Sequence, residues 1–321
     1  MVPTGIQHTL RNLKRSHAPV ARLLRYAALY KNLKPNAIIV YTMGKVGSTT
    51  VSGLLQNHKK DAFVYDVHYL NPENLKKDQQ FHRKLYKKAA EQNIQVNILP
   101  DYISDGYFLR RMMKKKAWSR ESLSVISLTR DPMAKYVSSF FQNAERFYAY
   151  DFQKELSQNG PEKIAEELKD LFLNHYLHKN GIDYFDSDPL TWFDEELKAI
   201  FDIDVYDSPF PHDRGYGMYS SDYCDVLVMR LEDLDDCYRS AIQQLTGVTV
   251  PRLKSENTAS KKVYGGVYRA FKKNLRLPED MLDRVYASKY ATHFYTPDEI
   301  TGFKKRWQQK RSSEMKRETA L

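Results

Sequence analysis

Two short segments of the chain carry residue types that bind phosphate. The first is Thr42-Met43-Gly44-Lys45-Val46-Gly47-Ser48-Thr49-Thr50, between an apolar run and a stretch of helical spacing. Gly44 and Gly47 let backbone amides turn toward an anion, Lys45 adds a positive charge, and the helix start adds its dipole and free N–H groups. Further hydrogen-bond donors are the hydroxyls of Ser48, Thr49 and Thr50.

The order of residues in this loop differs from that of nucleoside triphosphatases. A Walker A loop ends in Gly-Lys-Ser/Thr, whereas Lys45 here precedes Gly47. The segment therefore predicts a phosphate-binding loop of another type. The alternative is an ordinary strand-to-helix turn in which Ser48 caps the helix.

The second segment reads Leu128-Thr129-Arg130-Asp131-Pro132 and is followed by Ser138. Because Ser138 comes eight residues after Arg130, about two helical turns, both lie on one side of a helix. The planar guanidinium of Arg130 suits bidentate phosphate binding. We therefore predict a second phosphate site at Arg130 and Ser138. The alternative is that Arg130 pairs with Asp131 or caps a helix.

The elements around these segments alternate between strands and helices. Apolar runs too short for helices suit parallel strands buried on both faces, and they lie at 37–41, 62–67, 124–128 and 225–229. Helical spacing predicts helices at 18–33, 48–59, 72–93, 104–117, 161–178, 189–202 and 232–246. It also predicts a helix that begins at 132 and a helical segment beyond 267. This alternation predicts an α/β fold, a single domain with a central parallel sheet flanked by helices. We expect that domain at 36–321, after an N-terminal helical segment at 1–35.

Composition narrows the class of protein. The 321 residues are 42% hydrophobic and carry a formal net charge of +10, which indicates a substantial core and favours anionic partners. Cys224 and Cys237 form no CxxC pair, so the sequence predicts neither a metal site nor a disulfide framework. There is no run of 18 apolar residues and no apolar signal segment, so we expect a cytoplasmic protein.

Taken together, the two phosphate segments resemble the nucleotide site of sulfotransferases. Residues 44–49 are similar to the 5′-phosphosulfate loop of those enzymes, which commonly reads Pro-Lys-x-Gly-Thr/Ser-Thr. Arg130 with Ser138 is similar to their 3′-phosphate site. The chain departs from the pattern in having Gly44 in place of proline. It also lacks the Arg-Lys-Gly signature that those enzymes have in a nucleotide-binding loop later in the sequence.

Downstream segments resemble the bacterial family described as "putative capsular polysaccharide synthesis protein", which belongs to the sulfotransferase superfamily. They are Arg230-Leu231-Glu232-Asp233-Leu234 and residues 264–268 and 288–295. The resemblance covers about residues 36–305.

The resemblance implies a P-loop-like sulfotransferase fold. It implies transfer of a sulfuryl group from 3′-phosphoadenosine 5′-phosphosulfate (PAPS) to a hydroxyl of a carbohydrate or glycolipid. Adenosine 3′,5′-bisphosphate would be the product, and no metal would be needed. Lys45 would stabilise the leaving oxygen, and Lys261 and Lys262, just before Tyr264, would replace the missing late signature. The implied nucleotide-binding set is Gly44, Lys45, Val46, Gly47, Ser48, Thr49, Thr50, Arg130, Ser138, Lys261, Lys262 and Tyr264.

Such a reaction needs a base for the acceptor hydroxyl. His68 directly follows the second predicted strand, whose end faces the crevice, and an imidazole accepts protons near neutral pH. A structural histidine is the alternative, and Asp66, Asp101 and His175 are further candidates. Aromatic residues suited to stacking on a sugar in an acceptor groove are Tyr102, Tyr107, Trp192 and Tyr216.

Two other classes of protein stay open. A P-loop-type nucleotide kinase would need the Walker order that the loop lacks. A basic nucleic-acid-binding protein would need clustered Lys and Arg with aromatic residues between them. Lys114–Lys116 and Lys304–Arg306 are short runs typical of solvated faces, so we expect no nucleic-acid partner. Residues 302–317 suit peripheral contact with an anionic membrane.

Overall fold

A mostly parallel sheet forms the centre of the protein. The computed structural model describes residues 18–58, 61–91, 100–147, 150–177, 187–253 and 262–308. Within these ranges the four predicted strands all form, and a fifth strand joins them. In chain order the strands are β1 (Asn36–Tyr41), β2 (Ala62–Val67), β3 (Leu123–Thr129), β4 (Tyr216–Ser220) and β5 (Asp225–Arg230). Their order in the sheet is β2-β1-β3-β5-β4.

Helices flank this sheet, and their bounds agree with the predicted ones within a few residues at most positions. In chain order they are α1 (Ala18–Lys31), α2 (Ser48–His58), α3 (Pro72–Glu91), α4 (Asp101–Lys114), α5 (Pro132–Phe147), α6 (Phe152–Gln158), α7 (Pro161–Asp170), α8 (Leu234–Thr246), α9 (Gly265–Asn274), α10 (Glu279–Tyr286), α11 (Lys289–Phe294) and α12 (Pro297–Trp307). The predicted α/β class is therefore confirmed. The predicted division at residue 35 stays a prediction.

The parallel strands explain why their sequences read as continuous apolar runs. Residues 37–41 of β1 are all buried, because helices cover both faces of the sheet. β1 pairs in parallel with β2 on one side and with β3 on the other. Burial on both faces removes the alternation of polar and apolar residues that marks a one-sided strand.

The strand that the sequence did not reveal is β4. It runs antiparallel to β5 at the edge of the sheet, with Tyr216 opposite Met229 and Ser220 opposite Asp225. An edge strand needs no continuous apolar run, because one of its sides has no neighbouring strand. Its Tyr-Gly-Met-Tyr-Ser sequence lacks the apolar run that identified the other strands.

Two helical segments have a wider turn than predicted. Leu171–Leu177 continues α7 as a π-helix, and Phe193–Lys198 is π-helical within the helix predicted at 189–202. A π-helix has i→i+5 bonds, and short stretches of it occur frequently at functional sites. Among the described helices, none combines the length and the apolar character needed to cross a membrane.

The sheet order defines where a ligand can enter. From β1 the chain crosses to β2 on one side, and it then returns to β3 on the other side of β1. The loops that follow β1 and β3 therefore leave the sheet in different directions at neighbouring strand ends. In open α/β sheets, ligands bind in the crevice at this switch point.

Candidate functional site

The loop after β1 is held in place by buried side chains on both sides of Lys45. Met43 and Val46 are fully buried, and the N–H of Thr42 donates to the carbonyl of Val67 over 3.2 Å. Lys45 and Gly47 both have positive φ, at 73° and 94°. The loop is therefore fixed in a conformation that turns sharply into α2.

Gly47 sits at the closest approach of this loop to the helix after β5. A Cβ atom on Gly47 would lie 2.8 Å from Leu231 Cδ1, so only glycine fits here without a shift. The N–H groups of Thr50 and Val51 both donate to the carbonyl of Gly47, and α2 begins at Ser48. The two amides before them, of Ser48 and Thr49, have no acceptor within α2 and suit an anion.

Arg130 joins the two predicted phosphate segments. Its Nη1 donates to the carbonyl of Lys45 over 2.9 Å. Its backbone is held by the hydroxyl of Tyr290, which accepts from the Arg130 N–H over 2.9 Å and donates to the Arg130 carbonyl over 2.8 Å. The guanidinium thus lies against the loop after β1, at the switch point of the sheet.

Asp131, the residue considered as a partner for Arg130, bonds elsewhere. Its Oδ1 accepts from the N–H of Met133 over 3.0 Å and from the hydroxyl of Tyr286 over 2.7 Å. Its own N–H donates to Glu232 Oε1 over 2.8 Å. Asp131 therefore caps the start of α5 and ties it to the C-terminal helices. Ser138, two turns into α5, is mostly buried.

Two further cations lie near Arg130, and sequence reasoning missed both. Lys272 of α9 is half-buried. Its pKa is lowered by burial and by the positive charges of Arg130 and Arg306. Arg306 of α12 places Nη1 3.7 Å from Asp131 Oδ2. These residues are far from Arg130 in sequence, so no spacing pattern could have found them. Arg130, Lys272 and Arg306 therefore surround the start of α5, together with the carboxylate of Asp131.

His68 follows β2 directly, beside the same loop. Its Nδ1 lies 2.9 Å from the carbonyl oxygen of Thr42. A carbonyl can only accept, so Nδ1 carries a hydrogen, and in a neutral ring Nε2 would then hold the lone pair. The ring centroid lies 4.8 Å from that of Tyr102, and the His68 carbonyl accepts from Trp192 Nε1 over 3.0 Å. The His68 ring is thus held in one orientation beside the loop, and its role as a base stays a prediction.

A buried carboxylate orders the turn between His68 and α3. Glu196 Oε2 accepts from the hydroxyl of Tyr41 and, over 2.8 Å each, from the N–H groups of Leu70 and Asn71. Its Oε1 accepts from Asn74 Nδ2 over 2.7 Å. Burial raises the pKa of Glu196. We call Glu196 and these four donors the Glu196 cluster.

Of the other candidates for the base, one is bonded to α2, one is exposed beside α1, and one lies outside the described residues. Asp66 Oδ2 accepts from Ser52 Oγ over 3.0 Å, on the side of the sheet covered by α2. Asp101 is exposed and lies 3.9 Å from Arg25 Nη1 of α1. The side chain of His175 lies outside the described residues. The geometry therefore favours His68 over these three residues as the candidate base.

The structure describes only part of the segment that was predicted to replace the missing Arg-Lys-Gly signature, residues 261, 262 and 264. Lys261 lies outside the described residues, and Lys262 is exposed with its Nζ 5.6 Å from the ring centroid of Tyr264. The Tyr264 ring is mostly buried against Phe141 and Phe152, with centroids at 5.7 and 5.1 Å. Tyr264 thus packs in the core beside α5, and its role in nucleotide binding stays a prediction.

Comparison with known proteins gives one finding. Residues 163–296 match the model of the family described as "NKWYS: Putative capsular polysaccharide synthesis protein". The match includes β4 and β5 and ends before α12, and it leaves out the loop after β1 and Arg130. Neither the curated proteins nor the solved structures give a significant match.

Proposed function

We propose that this protein is a sulfotransferase. It moves the sulfuryl group of PAPS to a hydroxyl of a carbohydrate or glycolipid acceptor and releases adenosine 3′,5′-bisphosphate. The observation that carries the proposal is the 2.9 Å hydrogen bond from Arg130 Nη1 to the carbonyl of Lys45. That bond joins two phosphate-binding segments that the sequence separates by eighty-five residues.

The donor fits because it bears phosphate groups at two positions of one ribose. The 5′ side lies at the loop after β1, with its glycines, its lysine and the start of α2. The 3′ side lies at Arg130 and Ser138, where Lys272 and Arg306 add positive charge. A nucleotide with a 5′-phosphate alone fills only half of this positively charged surface.

The residues of the chain then have separate tasks in sulfuryl transfer. A new bond forms between the acceptor oxygen and sulfur, and the bond from sulfur to the bridging phosphate oxygen breaks. Lys45 stabilises the negative charge that develops on that bridging oxygen. His68 Nε2 takes the proton of the acceptor hydroxyl, while the Nδ1 bond to Thr42 fixes the ring.

The family match supports a carbohydrate acceptor. Its description names capsular polysaccharide synthesis, and the matched residues include Glu196 and the Arg230–Leu234 segment. A cytoplasmic location belongs to the same proposal, because Cys224 and Cys237 are both free and buried thiols.

Thermal stabilisation by nucleotides tests the donor. Adenosine 3′,5′-bisphosphate should raise Tm more than AMP or ATP at equal concentration, since only it fills both phosphate positions. Arg130→Gln should remove most of the difference between the bisphosphate and AMP. A hydrogen bond to a charged group contributes about 1.5–3 kcal/mol, so bisphosphate affinity should fall about 10- to 100-fold.

Arg239→Gln is the matched control, because Arg239 is exposed on α8. It should leave the stabilisation by both nucleotides unchanged. Equal stabilisation by AMP and the bisphosphate would exclude PAPS as the donor, and a preference for ATP would favour a nucleotide kinase. Transfer of ³⁵S from labelled PAPS to an oligosaccharide panel then tests the reaction itself.

A further inference from the structure

A cavity of about 530 Å³ adjoins the loop after β1. Two of its walls come from the carboxyl edge of the sheet, through Tyr69 after β2 and through Met133 and Tyr136 of α5 after β3. Other walls come from α3, α10 and residues 187–195. The cavity thus lies at the edge where ligands of open α/β sheets bind.

Ser187 connects the cavity to the phosphate loop. It lines the cavity, and its Oγ accepts from the N–H of Gly44 over 3.0 Å. The buried ammonium of Lys135 donates to the carbonyl of the same serine. On another wall, Tyr69 directly follows His68. A molecule in the cavity would therefore lie beside the loop that holds the donor, against the residue that follows the proposed base.

The walls combine aromatic rings with hydrogen-bonding groups. The rings are Tyr69, Tyr136, Tyr176 and Trp192, and the uncharged polar groups are Asn74, Ser187 and Thr191. Sugar rings present apolar C–H faces and hydroxyl edges, and such a mixed lining matches both. An acyl chain would match only the apolar part of this lining.

The described residues that line the cavity include equal numbers of positive and negative side chains. Among the described residues that line it, Lys77 and Arg284 are cations and Asp188 and Glu195 are anions. Asp188 Oδ1 already accepts from the hydroxyl of Tyr136 over 2.7 Å and from the N–H of Leu190 over 3.0 Å. The described part of the walls therefore carries no net charge that would attract a polyanionic chain.

We infer that this cavity binds the acceptor, and that the part of the acceptor it encloses is a short stretch of uncharged sugar units. The inference rests on the proposed function and adds to it the site and substrate class of the acceptor. The volume lies within the range of about 300–1,000 Å³ that is usual for ligand pockets. Of the aromatic residues predicted to line an acceptor groove, Trp192 lines this cavity.

Saturation-transfer NMR with two tetrasaccharides tests the substrate class. Cellotetraose, which is neutral, should show saturation transfer, whereas tetragalacturonate at the same concentration should show little. Tighter binding of the galacturonate would overturn the assignment to uncharged sugars. Absence of binding by both would overturn the assignment of the cavity to carbohydrate.

Two tryptophan variants test the location. Thr191→Trp and Lys77→Trp place an indole at the cavity from two walls, and both positions are exposed, so folding should persist. Each should weaken cellotetraose binding at least tenfold. Thr301→Trp and Lys76→Trp are matched exposed controls away from the lining and should bind as the wild type does. Unchanged binding in both cavity variants would show that the sugar lies elsewhere.

Adenosine 3′,5′-bisphosphate separates failure of this inference from failure of the proposed function. If the cavity variants keep the Tm shift with the bisphosphate and lose the sugar, both proposals stand. If the wild type binds the sugar but shows no preference for the bisphosphate over AMP, the cavity assignment survives and the sulfotransferase assignment fails. If the bisphosphate preference is present and sugar binding is unaffected by both variants, only the cavity assignment fails.

Discussion

Replacement of Glu196 by alanine should destabilise the protein and displace His68. The Glu196 cluster joins the end of β1, the turn after His68 and the first residues of α3 through one fully buried carboxylate. Tyr41 and Asn74 have side chains that can reorient, but the N–H groups of Leu70 and Asn71 belong to the backbone. Without the carboxylate, these two N–H groups have no acceptor within the cluster.

The size of the effect follows from the number of donors. A buried donor left without a partner costs about 1–3 kcal/mol, so the two backbone donors alone give roughly 2–6 kcal/mol for Glu196→Ala. Glu196→Gln should cost much less, about 1–2 kcal/mol. Its amide oxygen can accept from the three donors of Oε2, and Asn74 can rotate its own amide to accept from the new NH₂ group.

Urea denaturation of the three proteins measures these differences, and the pH dependence gives a second test. Because burial raises the pKa of Glu196 above its unfolded value, its protonated form is favoured in the folded protein. The wild type should therefore lose stability relative to Glu196→Gln as the pH rises above the unfolded pKa, about 4.3, and through the raised folded pKa. Glutamine does not titrate, so the variant provides the reference.

Activity distinguishes a positioning role from a purely structural one. Glu196→Gln should keep most of the transfer rate, whereas Glu196→Ala should lower kcat even at temperatures where the variant is folded and binds adenosine 3′,5′-bisphosphate normally. Glu166→Ala is the control, because Glu166 is an exposed residue of α7. A stability loss below about 1 kcal/mol for Glu196→Ala would refute the cluster as an anchor.

The other predictions concern the site itself. Lys45→Met should lower kcat about 10²- to 10³-fold and weaken bisphosphate binding much less, as measured by steady-state kinetics and calorimetry, because the backbone carbonyl that accepts from Arg130 remains. His68→Gln should lower the transfer rate about 10²- to 10⁴-fold and keep bisphosphate binding. A rate above a tenth of the wild type would point to another base. A bound phosphate should raise the lowered pKa of Lys272, so bisphosphate binding should take up protons at alkaline pH, and Lys272→Gln should not. Calorimetry in buffers of different ionisation enthalpy measures this uptake.

The parts of the fold that the sequence predicted are those with strong local signals. Strands buried on both faces are mostly apolar, and the amphipathic helices between them have clear spacing. β4 was missed because an edge strand with a glycine and exposed residues has neither signal. The π-helical turn at Phe193–Lys198 was also missed, since its wider turn depends on tertiary contacts.

The residues of the candidate site also divide into those with a local sequence signal and those without one. The loop after β1 and Arg130 could be predicted because each is a compact motif at the end of a strand. Lys272 and Arg306 could not be predicted, because they come from C-terminal helices whose sequences resemble solvated faces. Only the fold brings these helices against the start of α5.

Glu196 shows most clearly why spacing alone is insufficient. In the sequence it is one of several acidic residues in a helical stretch, and nothing there separates it from the exposed Glu195. In the structure one is fully buried among four donors, and the other lines the cavity. Neighbouring glutamates thus serve the two sides of one site. The first holds the turn that carries His68, and the second contributes to the charge balance of the proposed acceptor cavity. The π-helical segment that bears both therefore connects the turn after His68 with the wall of the proposed acceptor cavity.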